Sequence, residues 1–163
     1  MLNRILGYRE KLLGGGSIAI DEALALEATD DVLVPYLGAV ANEIREKFRG
    51  RSVELCSLIN ARRGNCSEDC AFCGQSGHNR AGKLATYPLV DTEEILRQAH
   101  AARKEGADEF CIVTSGKGAK DDGEFERILE AVRRIREETG LRVGCSLGFL
   151  SAEQAARLKA AGV

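Results

Sequence analysis

The sequence predicts an α/β fold in which N-terminal helices precede a run of parallel βα units. Three observations carry this. Up to about residue 50 the apolar spacing is helical and no strand pattern appears. From residue 51 onward, short β-rich runs alternate with amphipathic helical stretches. The links between them are short, and such alternation builds a parallel sheet, as a barrel or an open α/β sheet. The expected division is an N-terminal helical extension, 1–50, and the first part of a (β/α) barrel, 51–163.

Residues 3–13 have helical spacing, and Gly14-Gly15-Gly16 ends them. Residues 21–28 suggest a short helix. A longer helix is expected from about Asp31 to Phe48, capped by Asp30 and stopped by Gly50. Pro35 falls near its first turn, where a missing N–H costs least. Ser52 to Asn60 reads as a strand, and a Gly-, Asn- and Ser-rich stretch follows from Ala61 to Gly82. Asp91 begins a helix to about Glu105, with Glu94 as capping-box partner. Glu109 to Thr114 is a strand, Asp122 to Thr139 a helix, and Leu141 to Leu147 a strand. Ser151, with Gln154 behind it, caps a helix to about Ala160, and a fourth strand would start at Gly162-Val163. A closed barrel takes about 200 residues or more, so the chain reads as a truncated or partial sequence.

Composition narrows the function. The 163 residues are 44% hydrophobic and 29% charged, which is globular and not disordered. With 23 basic and 25 acidic residues the net charge is −2, which gives no attraction to nucleic acid or an anionic membrane. No apolar run approaches the roughly 18 residues of a membrane span. The opening Met1-Leu2-Asn3-Arg4 has no secretory pattern, so a cytoplasmic protein is expected, without membrane or nucleic acid as partner. In a reducing compartment the six cysteines point to metal or redox chemistry more than to disulfides.

Three of those cysteines share one segment, Asn60-Ala-Arg-Arg-Gly-Asn-Cys66-Ser-Glu-Asp-Cys70-Ala-Phe-Cys73-Gly-Gln-Ser76. Thiolates are the usual ligands of an iron–sulfur cubane. Three of them can hold three corners and leave the fourth iron open to another ligand. Zinc competes, with His78 as a fourth donor, and so does the reading of cysteine as a small buried apolar residue. Cys111 and Cys145 fall one to a strand, where alternation can point them inward, or they are plain core residues. Cys56 reads as core, His78 as an exposed loop residue and His100 as surface without a visible partner. Thr114-Ser115-Gly116-Lys117-Gly118 follows a strand's C-terminal end, where barrel active sites sit, although its glycines also suit a simple turn. It lacks the spacing of a P-loop. The helix Glu124 to Glu138 carries both signs of charge, the mark of a solvated face.

C-x3-C-x-aromatic-C, with Phe72 in the aromatic position, is the signature of the radical S-adenosylmethionine (SAM) superfamily. The wider string Cys66-Ser-Glu-Asp-Cys-Ala-Phe-Cys-Gly-Gln-Ser76 resembles the biotin synthase motif, as do Leu58-Ile-Asn-Ala-Arg62 and Cys145-Ser-Leu-Gly-Phe-Leu-Ser151. The resemblance covers the whole chain and about the first half of that family's usual length. It implies a partial TIM-type barrel of the radical SAM kind, stopping before the fourth strand. It implies a [4Fe–4S] cluster held by Cys66, Cys70 and Cys73, with SAM at the open iron. One electron then cleaves SAM to methionine and a 5′-deoxyadenosyl radical. Dethiobiotin becomes biotin with sulfur from a [2Fe–2S] cluster. The Phe72 backbone would sit near the adenine, and Thr114 and Ser115 near the methionine part. Cys111 and Cys145 would be two ligands of the second cluster, whose other cysteine and arginine would follow Val163. An electron donor such as flavodoxin or ferredoxin is also implied, as is a homodimer at full length, and the 163-residue chain is expected to be inactive alone. The alternatives are another radical SAM enzyme on the same barrel, such as a hydrogenase-maturation or pyrrolysine-pathway type, and a non-catalytic iron–sulfur or zinc-binding fragment.

Overall fold

The computed structural model describes residues 1–79, 84–119 and 122–163; Gly82, at the end of the glycine-rich stretch, lies outside them. The chain forms two compact units, Met1–Val53 and Glu54–Val163.

The first unit holds helices α1 (Leu2–Leu13), α2 (Ile20–Glu27) and α3 (Val34–Arg49). The helix expected from Asp31 opens instead as a 3-10 turn, Asp31–Leu33, with α3 proper starting at Val34 and Pro35 in its first turn. Asp30 makes no side-chain cap; its carbonyl accepts the Leu33 N–H at 2.8 Å. Arg9 Nε donates to Glu43 Oε2 at 2.6 Å, tying α1 to α3. Ile5 and Val40 are this unit's buried apolar side chains.

The second unit alternates β1 (Cys56–Arg62), α4 (Thr92–Lys104), β2 (Glu109–Thr114), α5 (Asp122–Thr139), β3 (Arg142–Ser146) and α6 (Ala152–Ala161). The strands lie in the order β1-β2-β3 and are all parallel. β1 starts at Cys56, four residues later than expected, because Cys56 is the residue opposite Glu109, where β2 begins. On one face Ile59, Ala61, Phe110, Ile112, Val143 and Leu147 pack against α4, α5 and α6. Ile95, Phe125, Leu129 and Ile135 supply the helical side of that core and are almost wholly buried. Burying an aliphatic or aromatic side chain of this size stabilises by about 1.5–3 kcal/mol. The other face carries Cys56 opposite Glu109, Leu58 and Gly144 on either side of Cys111, and Asn60 and Ser146 on either side of Val113.

The register slips between Asn60 and Arg62. That bulge turns Arg62 opposite Thr114, toward the helices, where it is 3% exposed. Its guanidinium pairs with Glu124 of α5, and donates from Nε to the Ser115 carbonyl at 2.7 Å and from Nη2 to that of Gly118 at 2.8 Å. Glu124, expected on a solvated face, is therefore buried: the bulge brings a cation beneath the first turn of α5.

Helix caps follow local sequence. Asp91 Oδ1 accepts the Glu94 N–H at 2.7 Å, but the reciprocal bond is replaced, because the Glu94 carboxylate takes Arg97 and Gln98. In α6 the box is complete, with Ser151 Oγ accepting the Gln154 N–H at 3.1 Å and Gln154 Oε1 accepting the Ser151 N–H at 2.9 Å. His100 does have a partner, since its Nε2 lies 2.9 Å from Glu138 Oε2. Among the described residues no helix is long and apolar enough to cross a membrane.

Candidate metal centre

The cysteine loop is closed by its own backbone. Cys66 N–H donates to the Gln75 carbonyl at 3.0 Å, and the Cys66 carbonyl accepts from Gly77 at 2.8 Å. Inside that ring Cys73 N–H donates to Cys70 at 3.2 Å and Ser76 N–H to Cys73 at 3.1 Å. The ring hangs from β1 by two successive left-handed residues, Gly64 (φ 75°) and Asn65 (φ 51°). A Cβ at Gly64 would lie 2.5 Å from Thr86 Cγ2, so glycine is required there for space as well as for backbone angle. The Gln75 side chain accepts the Gly64 N–H at 2.7 Å and locks the turn.

Cys66, Cys70 and Cys73 line one cavity of about 450 Å³, together with Thr114, Ser115 and Phe149. It lies at the C-terminal ends of β2 and β3. All three are free thiols; Cys70 is exposed and the other two half-buried. A tetrahedral zinc ion with Zn–S bonds of about 2.3 Å would draw its sulfurs to roughly 3.8 Å from one another. At least one pair of the loop sulfurs is farther apart than 4.8 Å. A cubane gives each thiolate its own iron and accepts wider spacing. His78 does not join the group, since its Nε2 lies 3.1 Å from the Ser67 carbonyl. The donor set, three thiols on one open cavity, fits a [4Fe–4S] cluster better than a single ion.

Of the other residues singled out by sequence, Phe72 is 97% exposed, within the loop between Cys70 and Cys73. Thr114 and Ser115 are buried, and Ser115 Oγ donates to the Gly64 carbonyl at 2.8 Å, bracing the turn before Cys66. Lys117 Nζ approaches Glu68 Oε1 at 3.9 Å across the cavity mouth. Phe149 and Gln75 also line the cavity, and Arg62 holds the Ser115 carbonyl beside it; all three lie within the family strings, which gave them no role. Their signal was membership of those strings, which does not say which side chain reaches the cavity.

Cys111 and Cys145 are not brought together. Cys111 registers with Gly144, so Cys145 registers with Ile112 and packs against the helix-side core. The expectation that both point inward fails because β3 runs without a bulge and its parity puts Gly144, not Cys145, on the Cys111 face. Burial pushes the Cys145 thiol up to about 12. Burial, then the adjacent Cys56 and Glu109, push that of Cys111 up to about 12. Cys56, read as core, is exposed, and its Sγ lies 3.7 Å from that of Cys111.

The sequence pattern of the radical SAM superfamily matches residues 63–163. The chain belongs to the radical SAM superfamily. Among its members, this one is 44% identical over 154 residues to the biotin synthase of Pelotomaculum thermopropionicum, covering 94% of the chain and 47% of the relative. It is 43% identical over 162 residues to the biotin synthase of Clostridium acetobutylicum, covering 99% and 49%. The chain thus spans about half the length of the curated relatives it matches. Among solved structures it resembles HydG, a maturase of the [FeFe]-hydrogenase, with a TM-score of 0.77 at 19% identity over 100% of this chain and 36% of that one. HydG from Carboxydothermus hydrogenoformans gives 0.73 at 22% identity, over 98% and 36%. Those likenesses bear on the fold alone, an α/β arrangement with a parallel sheet that is consistent with part of a TIM-type barrel.

Proposed function

We propose that this radical SAM chain is part of a biotin synthase that inserts sulfur into dethiobiotin, with Cys66, Cys70 and Cys73 holding a [4Fe–4S] cluster. The observation that carries it is the seating of those three cysteines on one cavity at the strand ends, in a chain 44% identical to a biotin synthase. When bound, the cluster supplies the electron that breaks the SAM sulfonium bond. The chain's own residues hold and orient. The closed ring from Cys66 to Gly77 fixes where the three thiolates point. Ser115 donates its hydroxyl proton to Gly64 and keeps acceptor lone pairs for the amine of SAM's methionine part, with Thr114 beside it. The Phe72 backbone is assigned to the adenine. Phe149 lines the same cavity. An electron donor of the flavodoxin or ferredoxin kind, a cytoplasmic setting and a homodimer at full length belong to the same reading.

A [2Fe–2S] cluster held by Cys111 and Cys145 does not fit this chain, because the two thiols lie on opposite faces of the sheet. The test is anaerobic reconstitution of the chain with ferrous iron and sulfide. About four irons and four sulfides per chain are expected at the loop, lost in the Cys66→Ala variant. One tightly held zinc in their place would overturn the assignment.

A further inference from the structure

The geometry points to Arg62 as a positioning residue for the cysteine loop and its cavity. From the helix side of the sheet its guanidinium fixes the turn Ser115–Gly118, and that turn holds the Cys66 ring on one side and the Phe149 segment on the other. The inference deepens the reading of the loop as a [4Fe–4S] site and rests on it.

The chain of contacts is continuous. The turn after β2 sends two carbonyls to one guanidinium: Arg62 Nε donates to that of Ser115 at 2.7 Å and Nη2 to that of Gly118 at 2.8 Å. The main chain adds a third tie, since the Ser115 N–H donates to the Arg62 carbonyl at 2.9 Å. The turn wraps so closely that a Cβ at Gly116, where φ is 109°, would lie 2.8 Å from Arg62 Nη2. Glu124 accepts from Nη1 and balances the buried charge.

The held turn then reaches both ways. Ser115 Oγ donates to the Gly64 carbonyl at 2.8 Å, at the left-handed step from which the cysteine ring hangs. The Lys117 carbonyl accepts the Phe149 N–H at 2.7 Å. Ser115, Lys117 and Phe149 line the cavity with the three loop cysteines, whereas Arg62 does not line it and so acts through the turn. The residue type matters. A planar fork of several donors serves two carbonyls and a carboxylate at once. Lysine keeps the charge but brings it as a point on a flexible stem. Glutamine leaves Glu124 buried without its cation and at least one carbonyl without a donor.

The test compares the full chain with its Arg62→Gln, Arg62→Lys and Ile135→Ala variants. Ile135 is wholly buried about three turns beyond Glu124 on α5, so its variant reports a general loss of stability. In the metal-free reduced chain, hydrogen exchange of the Cys66 and Gly77 amides should quicken about tenfold in Arg62→Gln, as the brace on the ring loosens. After anaerobic reconstitution with ferrous iron and sulfide, that variant should lose iron to a ferrous chelator roughly tenfold faster, with an altered electron paramagnetic resonance spectrum of the reduced cluster. Arg62→Lys should show about a threefold change in both rates, and it carries the comparison where circular dichroism finds Arg62→Gln unfolded. Ile135→Ala should leave the ring amides and the iron release at their original rates. Unchanged rates in the Arg62 variants, or equal quickening in Ile135→Ala, would overturn the inference. So would faster exchange without faster iron release. A parent chain that takes up zinc in place of about four irons overturns the cluster reading itself, while the metal-free exchange still decides whether Arg62 positions the ring.

Discussion

Arg62 carries a charge into the apolar side of the sheet, and its company explains why that is tolerated. Two carbonyls and the Glu124 carboxylate surround its guanidinium. A buried pair adds little over an apolar equivalent, but removing one partner strands the other. Glu124→Ala is expected to lower the unfolding free energy by about 3–5 kcal/mol in urea titration. A loss under 1 kcal/mol would mean the pair is far better solvated than its 3% and 8% residue exposures indicate. Sequence could not foresee this. Glu124 sits in a helix of mixed charge, and only the bulge after Asn60 decides which way Arg62 faces. Ser115 is a similar case, with a hydroxyl occupied by a backbone carbonyl fifty-one positions away in sequence.

At the level of elements, strand parity sorts the cysteines. β3 sets Cys145 beside Ile112 and β2 sets Cys111 on the other face. In the metal-free reduced chain at pH 8, iodoacetamide should therefore modify exposed Cys56 and Cys70 first and Cys145 last. Mass spectrometry of timed digests reads the order. Early labelling of Cys145 would show that β3 is paired one residue out of the register described. The helices and strands were largely legible beforehand. β2 and α5 fall on their expected bounds: left-handed Gly106 follows the end of α4 ahead of β2, and left-handed Gly140 stops α5 itself. The loop cysteines were legible from spacing alone. Facing was not, because the alternation that orients Cys111 and Cys145 depends on partner strands and not on local pattern.

On the scale of the molecule, the two units differ in what they bury. Glu54–Val163 encloses an apolar layer from three strands and three helices, whereas Met1–Val53 buries Ile5 and Val40. Hydrogen exchange should follow this division, with central β2 and α5 amides slowest and those of α1 to α3 faster. Uniform protection across both units would contradict it. β1 begins at Cys56 and leads into the Cys66 ring, so Cys56 and the loop cysteines ride on one ribbon. The extra residue near Ala61 acts as a phase shifter between them. Upstream of it the odd-numbered side chains look toward the helices; downstream the even-numbered Arg62 does. An insertion or deletion at that point would leave the upstream thiol where it is and rotate the whole downstream anchorage by half a pleat, so the aim of the loop depends on the length of β1 as much as on its cysteines.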